Sequence, residues 1–413
     1  MTKLDELIQE LCPDGVKYKA LGEICKLVTG ATPSKTNSAY WENGTIPWMS
    51  SGEVNLKRVA ATEKKITQLG YEKNSTTIVP KHSVVIALAG QGKTRGKAAI
   101  TEIELCTNQS LCSMICNENL DYKFLYYILD GKYEELRAIS NGDGTRGGLS
   151  LKILAPYKIP VPPLPVQREI VRILDNFTEL TAELTAELTA ELTARKKQYA
   201  YYRDKLLTPR TDYRHGKIID MLKQPITDGP HTTPELMEDG IPFLSVEAVF
   251  DGKIHFEKRR GNITPEFDAE CCKKYKPQKH DIFMVKSGST TGKVGYVDTD
   301  ERFNIWSPLA AMRVNSENSS RYLFHLLQSK MVQQQVVAKA SHGSQPNLSM
   351  RALEQFDVAI PPLDIQLRLA NVLDNFDAIC TDLSSGLPAE IEARQKQYEY
   401  YRDKLLTFKT MSN

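Results

Sequence analysis

At 413 residues, 41% hydrophobic and 25% charged, the chain is long enough for two or three domains, each able to bury its own core. A net charge of +2 neither supports nor excludes a nucleic-acid partner. No run approaches the roughly 18 apolar residues of a membrane span, and the charged, helically patterned MTKLDELIQELCPDGV is no secretory signal, so neither a membrane nor an exported protein is expected. The eight cysteines (12, 25, 106, 112, 116, 271, 272 and 380) include no CxxC pair and have no histidines at zinc-site intervals. They read as free, buried thiols of a reducing cytosol.

Taken in chain order, the first segments are short apolar or alternating runs bounded by Gly, Pro, Asn and Asp, the pattern of strands in a mixed sheet. Gly44–Trp48 and Lys81–Ile86 are two of them, and the Gly-rich stretch 141–148 closes this part as a loop. Pro162-Pro163-Leu164-Pro165 then opens a long helix, since proline is tolerated in a first turn. Ile170, Ile173, Phe177, Leu180 and Leu184 alternate by three and four, a coiled-coil seam. Residues 181–192 are three copies of Thr-Ala-Glu-Leu, so Leu184, Leu188 and Leu192 step by four and the supercoil locally unwinds. Each copy adds about 6 Å of axial rise to a helix of roughly 65 Å.

The pattern then repeats. LDNF occurs at 174–177 and 373–376, Pro162-Pro163-Leu164 at Pro361-Pro362-Leu363, and QYAYYRDKLLT at 198–208 returns as QYEYYRDKLLT at 397–407, all 199 residues apart. Gly44–Trp48 corresponds to Gly240–Phe243, and Lys81–Ile86 to Lys279–Met284. The expected segmentation is 1–160, 161–208 (central helix), 209–359 and 360–413 (C-terminal helix). The second helix carries Leu369, Val372, Phe376, Ile379, Leu383, Leu387, Ile391, Tyr398, Tyr401 and Leu405 on a matching stripe, with a kink or break expected at Ser384–Pro388. Two stripes of equal length can bury each other as an antiparallel pair.

Two catalytic readings fail. Ala87–Thr94 fits a permissive phosphate-binding loop, but its counterpart Gly288–Val294 lacks the hydroxyl after lysine. Aligning Gly96-Lys97 with Gly292-Lys293 leaves Gly92-Lys93-Thr94 in an insertion, and no helical pattern follows. The double prolines lack the Asn or Asp and the aromatic of an amino-methyltransferase loop. What remains is polar and basic loop chemistry at equivalent places. Domain one offers Lys93, Thr94, Arg95, Lys97, Asn108, Gln109, Thr145 and Arg146. Domain two offers Lys286, Ser287, Ser289, Thr290, Thr291, Lys293, His342, Ser344 and Gln345. Arg and Lys can read guanine edges or neutralise phosphates, and Asn or Gln can read adenine.

The Pro-Pro-Leu-x-x-Gln segments at Pro162–Gln167 and Pro361–Gln366, LDNF, RKKQYAYYRDKLL, RQKQYEYYRDKLL and the Thr-Ala-Glu-Leu array resemble the specificity subunits of type I DNA restriction–modification systems, subtype IC. The resemblance covers essentially the whole chain. It implies an α+β fold with two mixed α/β target recognition domains joined by two long antiparallel coiled-coil helices. It further implies a non-catalytic cytoplasmic protein of a bacterium or archaeon, whose two domains each read half of a bipartite DNA site. The Thr-Ala-Glu-Leu units would set the spacer. Two modification subunits, docking around Tyr201, Arg203, Tyr400 and Arg402, would bring S-adenosylmethionine and adenine-N6 methylation. Restriction–translocase subunits would bring ATP and Mg chemistry; this chain itself would hold no cofactor or metal. The competing readings are a nucleoside triphosphatase, a stand-alone methyltransferase, and a coiled-coil scaffold that binds only protein.

Overall fold

The computed structural model describes residues 2–90, 94–140, 148–341, 345–381 and 386–411. The chain forms two compact units, Met1–Thr185 with Ala393–Asn413, and Ala186–Glu392. The linear segmentation expected from the repeat therefore describes the order of elements but not the packing. Each unit combines one globular domain, part of the helix that follows it and part of the other helix.

In the first unit a five-stranded sheet has the order Cys25–Thr29, Leu111–Cys116, Val84–Ala87, Ala98–Thr101, Arg58–Val59. A four-stranded sheet follows the order Lys64–Ile66, Ile46–Met49, Leu105–Thr107, Ile78–Val79. Val84–Ala87 reads VVIA and is buried along its whole length, as a central strand covered on both faces must be. The helix Tyr122–Gly131, capped by Asp121, which accepts from the Lys123 and Phe124 amides, covers that sheet with Phe124, Leu125 and Ile128. Val166, Ile170 and Leu174 at the start of the central helix complete the core, and Leu405, Leu406 and Phe408 of the C-terminal region pack against it. The tail is stitched to the start of the chain: the Val16 amide donates to Lys409 O at 2.8 Å and the Met411 amide to Val16 O at 3.1 Å.

The second unit repeats this plan. Its larger sheet has the order Thr227–Asp228, Leu309–Met312, Ile282–Val285, Val294–Tyr296, and its smaller one Gly261–Ile263, Ile241–Leu244, Asn304–Ile305. Ile46–Met49 and Ile241–Leu244 each have one antiparallel and one parallel neighbour, Trp48 facing Cys106 and Phe243 facing Asn304. The segments equated by sequence are thus the same strand. His82 (φ 66°) and His280 (φ 73°) both turn through the left-handed region just before the central strand. Here Tyr199 and Leu207, from the end of the central helix, join the core with Ala370 and Leu373.

The central helix, Leu164–Leu206, is one run of 43 residues. Along the Thr-Ala-Glu-Leu array Leu184, Leu188 and Leu192 are half-buried, while the Ala-Glu pairs between them are exposed. The second helical region has two pieces, Leu363–Thr381 and Leu387–Leu405. Pro388 stands second in the later piece, where its missing N–H costs no hydrogen bond; residues 382–385, with the expected Leu383 stripe position, lie outside the described residues. The expected stripe also needs correction near its start. Val372 and Ile379 are exposed, whereas Cys380 is buried and Ala370 and Leu373 join the core of their own domain. Within the first unit Phe177 meets Tyr401 with ring centroids 6.2 Å apart, and within the second Tyr202 stacks on Phe376 at 5.5 Å. Among the described residues no helix is long and apolar enough to cross a membrane.

Candidate nucleic-acid interface

The same backbone device recurs in both domains. Between Val84–Ala87 and Ala98–Thr101 the chain turns so that the Gly96 amide donates to Ala87 O (2.9 Å) and the Ala87 amide to Lys97 O (3.0 Å). Between Ile282–Val285 and Val294–Tyr296 the Gly292 amide donates to Val285 O (2.8 Å) and the Val285 amide to Lys293 O (2.8 Å). Gly96 (φ 84°) and Gly292 (φ 95°) both need the left-handed region, which glycine reaches without strain. The alignment of Gly96-Lys97 with Gly292-Lys293 is therefore structurally correct. A strand follows Thr94–Gly96 where a phosphate-binding loop needs a helix N-terminus, so the phosphate-loop reading does not hold.

Each hairpin is held beside the segment after its domain's glycine-rich or polar loop. The Leu149 amide donates to Leu88 O at 2.8 Å and the Leu348 amide to Lys286 O at 2.7 Å. In domain two Ser287 also bridges to Asn347, and the Gly288 amide donates to Pro346 O at 2.9 Å. This places Lys286–Thr291 next to exposed Gln345, with Ser289 and Lys293 exposed as well. Thr290 is half-buried, and Thr291 Oγ1 donates to Gly288 O at 2.7 Å, so that hydroxyl shapes the turn. Lys286 Nζ lies 3.3 Å from Asp228, a fully buried carboxylate that also holds Lys274. Of the expected contact residues, Lys93, Thr145, Arg146, His342 and Ser344 lie outside the described residues.

Domain one departs further from the expected set. Arg95 is only 8% exposed and donates to Ser140 Oγ at 3.1 Å, and Thr94, equally buried, hydrogen-bonds Ala89 O. Lys97 Nζ donates to Asn55 Oδ1 at 2.8 Å, and both residues line a cavity of about 360 Å³ with Tyr398 and Arg402. Arg95 and Lys97 therefore face protein, which a one-dimensional reading of a basic loop could not reveal. Asn108 turns its carbonyl back to the Ser110 amide, and Gln109, exposed, accepts from Thr32 Oγ1. One feature had no sequence signal: Arg260 lies 3.9 Å from the Trp306 ring centroid, with Lys258 and Arg259 exposed beside it. Trp306 stands where domain one has Asn108, since their amides donate to the equivalent Leu244 O and Met49 O.

The motif glutamines have a defined task. Gln167 Oε1 accepts from the Asp121 amide (2.8 Å) while its Nε2 donates to Asn119 O and Pro162 O. Gln366 Oε1 accepts from the Ser319 amide (2.9 Å) while its Nε2 donates to Asn318 Oδ1 and Pro361 O. Both are buried and lock the start of a long helix to the cap of the domain's covering helix. The LDNF aspartates extend that lock. Asp175 takes Lys123 Nζ (2.6 Å) and the Tyr127 hydroxyl (2.7 Å); Asp374 takes Arg321 and His325 Nε2 (2.7 Å). Burial pushes the His325 pKa below its ordinary value despite the carboxylate. Burial alone would raise Asp374, but His325 and Arg321 outweigh it and hold the carboxyl below its usual range.

At the expected docking surface, Tyr201 and Tyr400 are 60% and 62% exposed. Arg402 is instead turned inward, bonded to Asp130 at 3.0 Å and Asp403 at 2.9 Å, and Arg203 is paired with Asp204. The tyrosines present surface; Arg402 ties the last helix to the first domain, and Arg203 pairs within its own helix.

A duplicated α/β module whose hairpins and loop ends converge twice is the architecture of a two-domain binding protein. The chain belongs to the type I restriction modification DNA specificity domain family, which matches residues 13–194 and 230–393. As a member it is a DNA-recognition subunit, while methylation and cutting belong to its partner enzymes. It is 34% identical over 195 residues to the type I restriction enzyme EcoR124I/EcoR124II specificity subunit of Escherichia coli, spanning 47% of this chain and 48% of that protein. It is also 34% identical over 410 residues to a putative type I restriction enzyme specificity subunit of Haemophilus influenzae, covering 95% of this chain and 96% of that one. A solved chain from a study of assembly and conformational transition of the type I R-M system shares the fold, with a TM-score of 0.68 at 15% identity over 95% of this chain and 98% of that one.

Proposed function

We propose that each domain reads one half of a bipartite, asymmetric DNA site and that the central helix sets the spacer between the halves. The observation that carries this reading is the repeated apposition of hairpin and loop end, through Leu149 to Leu88 and Leu348 to Lys286, on two domains whose loop residues differ. Equivalent scaffolds with different side chains suit two different half-sites. In domain two the reading surface comprises Ser289, Lys293, Gln345 and the Arg260–Trp306 pair; in domain one it centres on Asn108 and Gln109. The Thr-Ala-Glu-Leu array supports a subtype IC assignment, with the spacer growing with the number of units. Two modification subunits would dock at Tyr201 and Tyr400, carrying S-adenosylmethionine. Restriction–translocase subunits would bring ATP and Mg, and the assembly would act in a bacterial or archaeal cytoplasm.

The test maps adenines methylated across a host genome that expresses the chain with its modification subunits, then measures binding to the resulting duplex. Inserting one base pair into the spacer should abolish specific binding. Binding indifferent to the insertion would defeat the bipartite reading.

A further inference from the structure

We propose that Cys25 and Cys116 form a reversible disulfide modification site in the first domain, oxidised by small-molecule disulfides such as oxidised glutathione. The two residues face each other directly across the antiparallel pair Cys25–Thr29 and Leu111–Cys116. Directly opposed residues project to the same side of the sheet. The Asn117 amide donates to Ile24 O at 3.0 Å, one residue outside the pair. That bond marks Cys25 and Cys116 as a non-hydrogen-bonded pair, where opposed Cα atoms approach to about 4.5 Å and side chains are closest. A disulfide accepts Cα separations of about 4.4–6.8 Å, so the bridge forms without moving a strand. Both thiols are free, Cys25 buried and Cys116 half-buried at the strand end. In domain two Leu222 faces Val314 at the corresponding place, so the site belongs to domain one alone.

The exchange balances. The Cys116 thiolate attacks one sulfur of the small disulfide, forming a mixed disulfide and expelling one thiolate. Cys25, deprotonated, then attacks the Cys116 sulfur and expels the second. Two protein thiols are oxidised, the reagent is reduced to two thiols, and these receive the two protons. The facing Cys25 thiol and burial both push the Cys116 thiol up, so the reaction is slow at neutral pH and accelerates as pH rises. The bridge would tie the edge strand Cys25–Thr29 to its neighbour just before the Asn119–Asp121–Gln167 lock.

The test incubates the reduced full-length chain with oxidised glutathione at about pH 8, blocks remaining thiols with iodoacetamide, and examines tryptic peptides by mass spectrometry. Peptide 20–26, whose single cysteine is Cys25, should appear joined to peptide 98–123 with loss of two hydrogens and revert on reduction. The link should vanish in Cys116→Ala and persist in Cys106→Ala and Cys112→Ala. In Cys25→Ala, Cys116 should stop at the glutathione adduct for want of a resolving thiol. Slower amide exchange across Cys25–Thr29 in the oxidised wild-type chain would support the same bridge without any substitution. A link surviving in Cys116→Ala, or peptide 20–26 recovered only as alkylated thiol from the folded oxidised wild-type chain, would overturn it.

Discussion

Two residues show how position in space changes the meaning of a side chain. Gln167 satisfies one backbone amide and two carbonyls at a buried junction. Replacing it with Leu leaves those groups unpaired, and each buried unpaired group costs about 1–3 kcal/mol. Gln167→Leu should therefore lower stability by about 2–4 kcal/mol in urea unfolding of the first domain; a change below about 0.5 kcal/mol would contradict the lock. His325 makes a pH prediction. As a neutral ring it accepts from the Tyr199 hydroxyl at Nδ1 (2.9 Å) and donates from Nε2 to Asp374. Because burial depresses its pKa, the unfolded chain binds the proton first, so the contribution is complete above the unfolded pKa of about 6.5 and is lost as pH falls below it. Thermal unfolding should show the second domain weakening between about pH 7 and pH 5.5. Domain one, with Tyr127 in the equivalent place, should change less over that range.

At the scale of elements, the Thr-Ala-Glu-Leu array exposes its Ala-Glu pairs and half-buries its leucines. Removing Thr185–Leu188 shortens the helix by about 6 Å and keeps every flanking residue intact. On the spacer reading the preferred site should shorten by no more than about two base pairs, at 3.4 Å per pair. Methylation mapping with the shortened chain checks this, and an unchanged spacer would refute the ruler role. The hairpins behave differently from the helices. The backbone bonds that close each hairpin are repeated, yet Arg95 and Lys97 in one copy face protein while Ser289 and Lys293 in the other are exposed. Lys293→Ala should weaken DNA binding in the assembled complex by roughly tenfold, about 1.4 kcal/mol, with a smaller salt dependence. Arg95→Ala should act chiefly through stability of domain one.

For the whole molecule, the division into units gives the C-terminal region an unexpected weight. Tyr398, Arg402, Leu405, Leu406 and Phe408 belong with the first domain, and the Lys409–Met411 tail bonds to Val16. Deleting residues 397–413 should destabilise domain one by about 3–5 kcal/mol, the cost of removing several partly buried apolar groups. Limited proteolysis should then cut within the first domain while the second unit stays resistant. Cleavage that begins in the second unit would contradict this assignment.

The sequence by itself determined the duplication, the register of strands such as Ile46–Met49 with Ile241–Leu244, the long helices and their proline starts, because periodicity and turn chemistry are local. Equal spacing also carried the family resemblance. Only the tertiary structure decided which basic residues face inward, as Arg95, Lys97 and Arg402 do, since burial depends on partners such as Ser140, Asn55 and Asp130, each more than 40 positions away. The same holds for the Arg260–Trp306 stack and for Cys25 opposite Cys116, 91 residues apart in sequence. It also decided that the end of the last helix completes the first domain. Side-chain periodicity names a face of a helix but not the surface that covers it, and that choice is made by long-range packing.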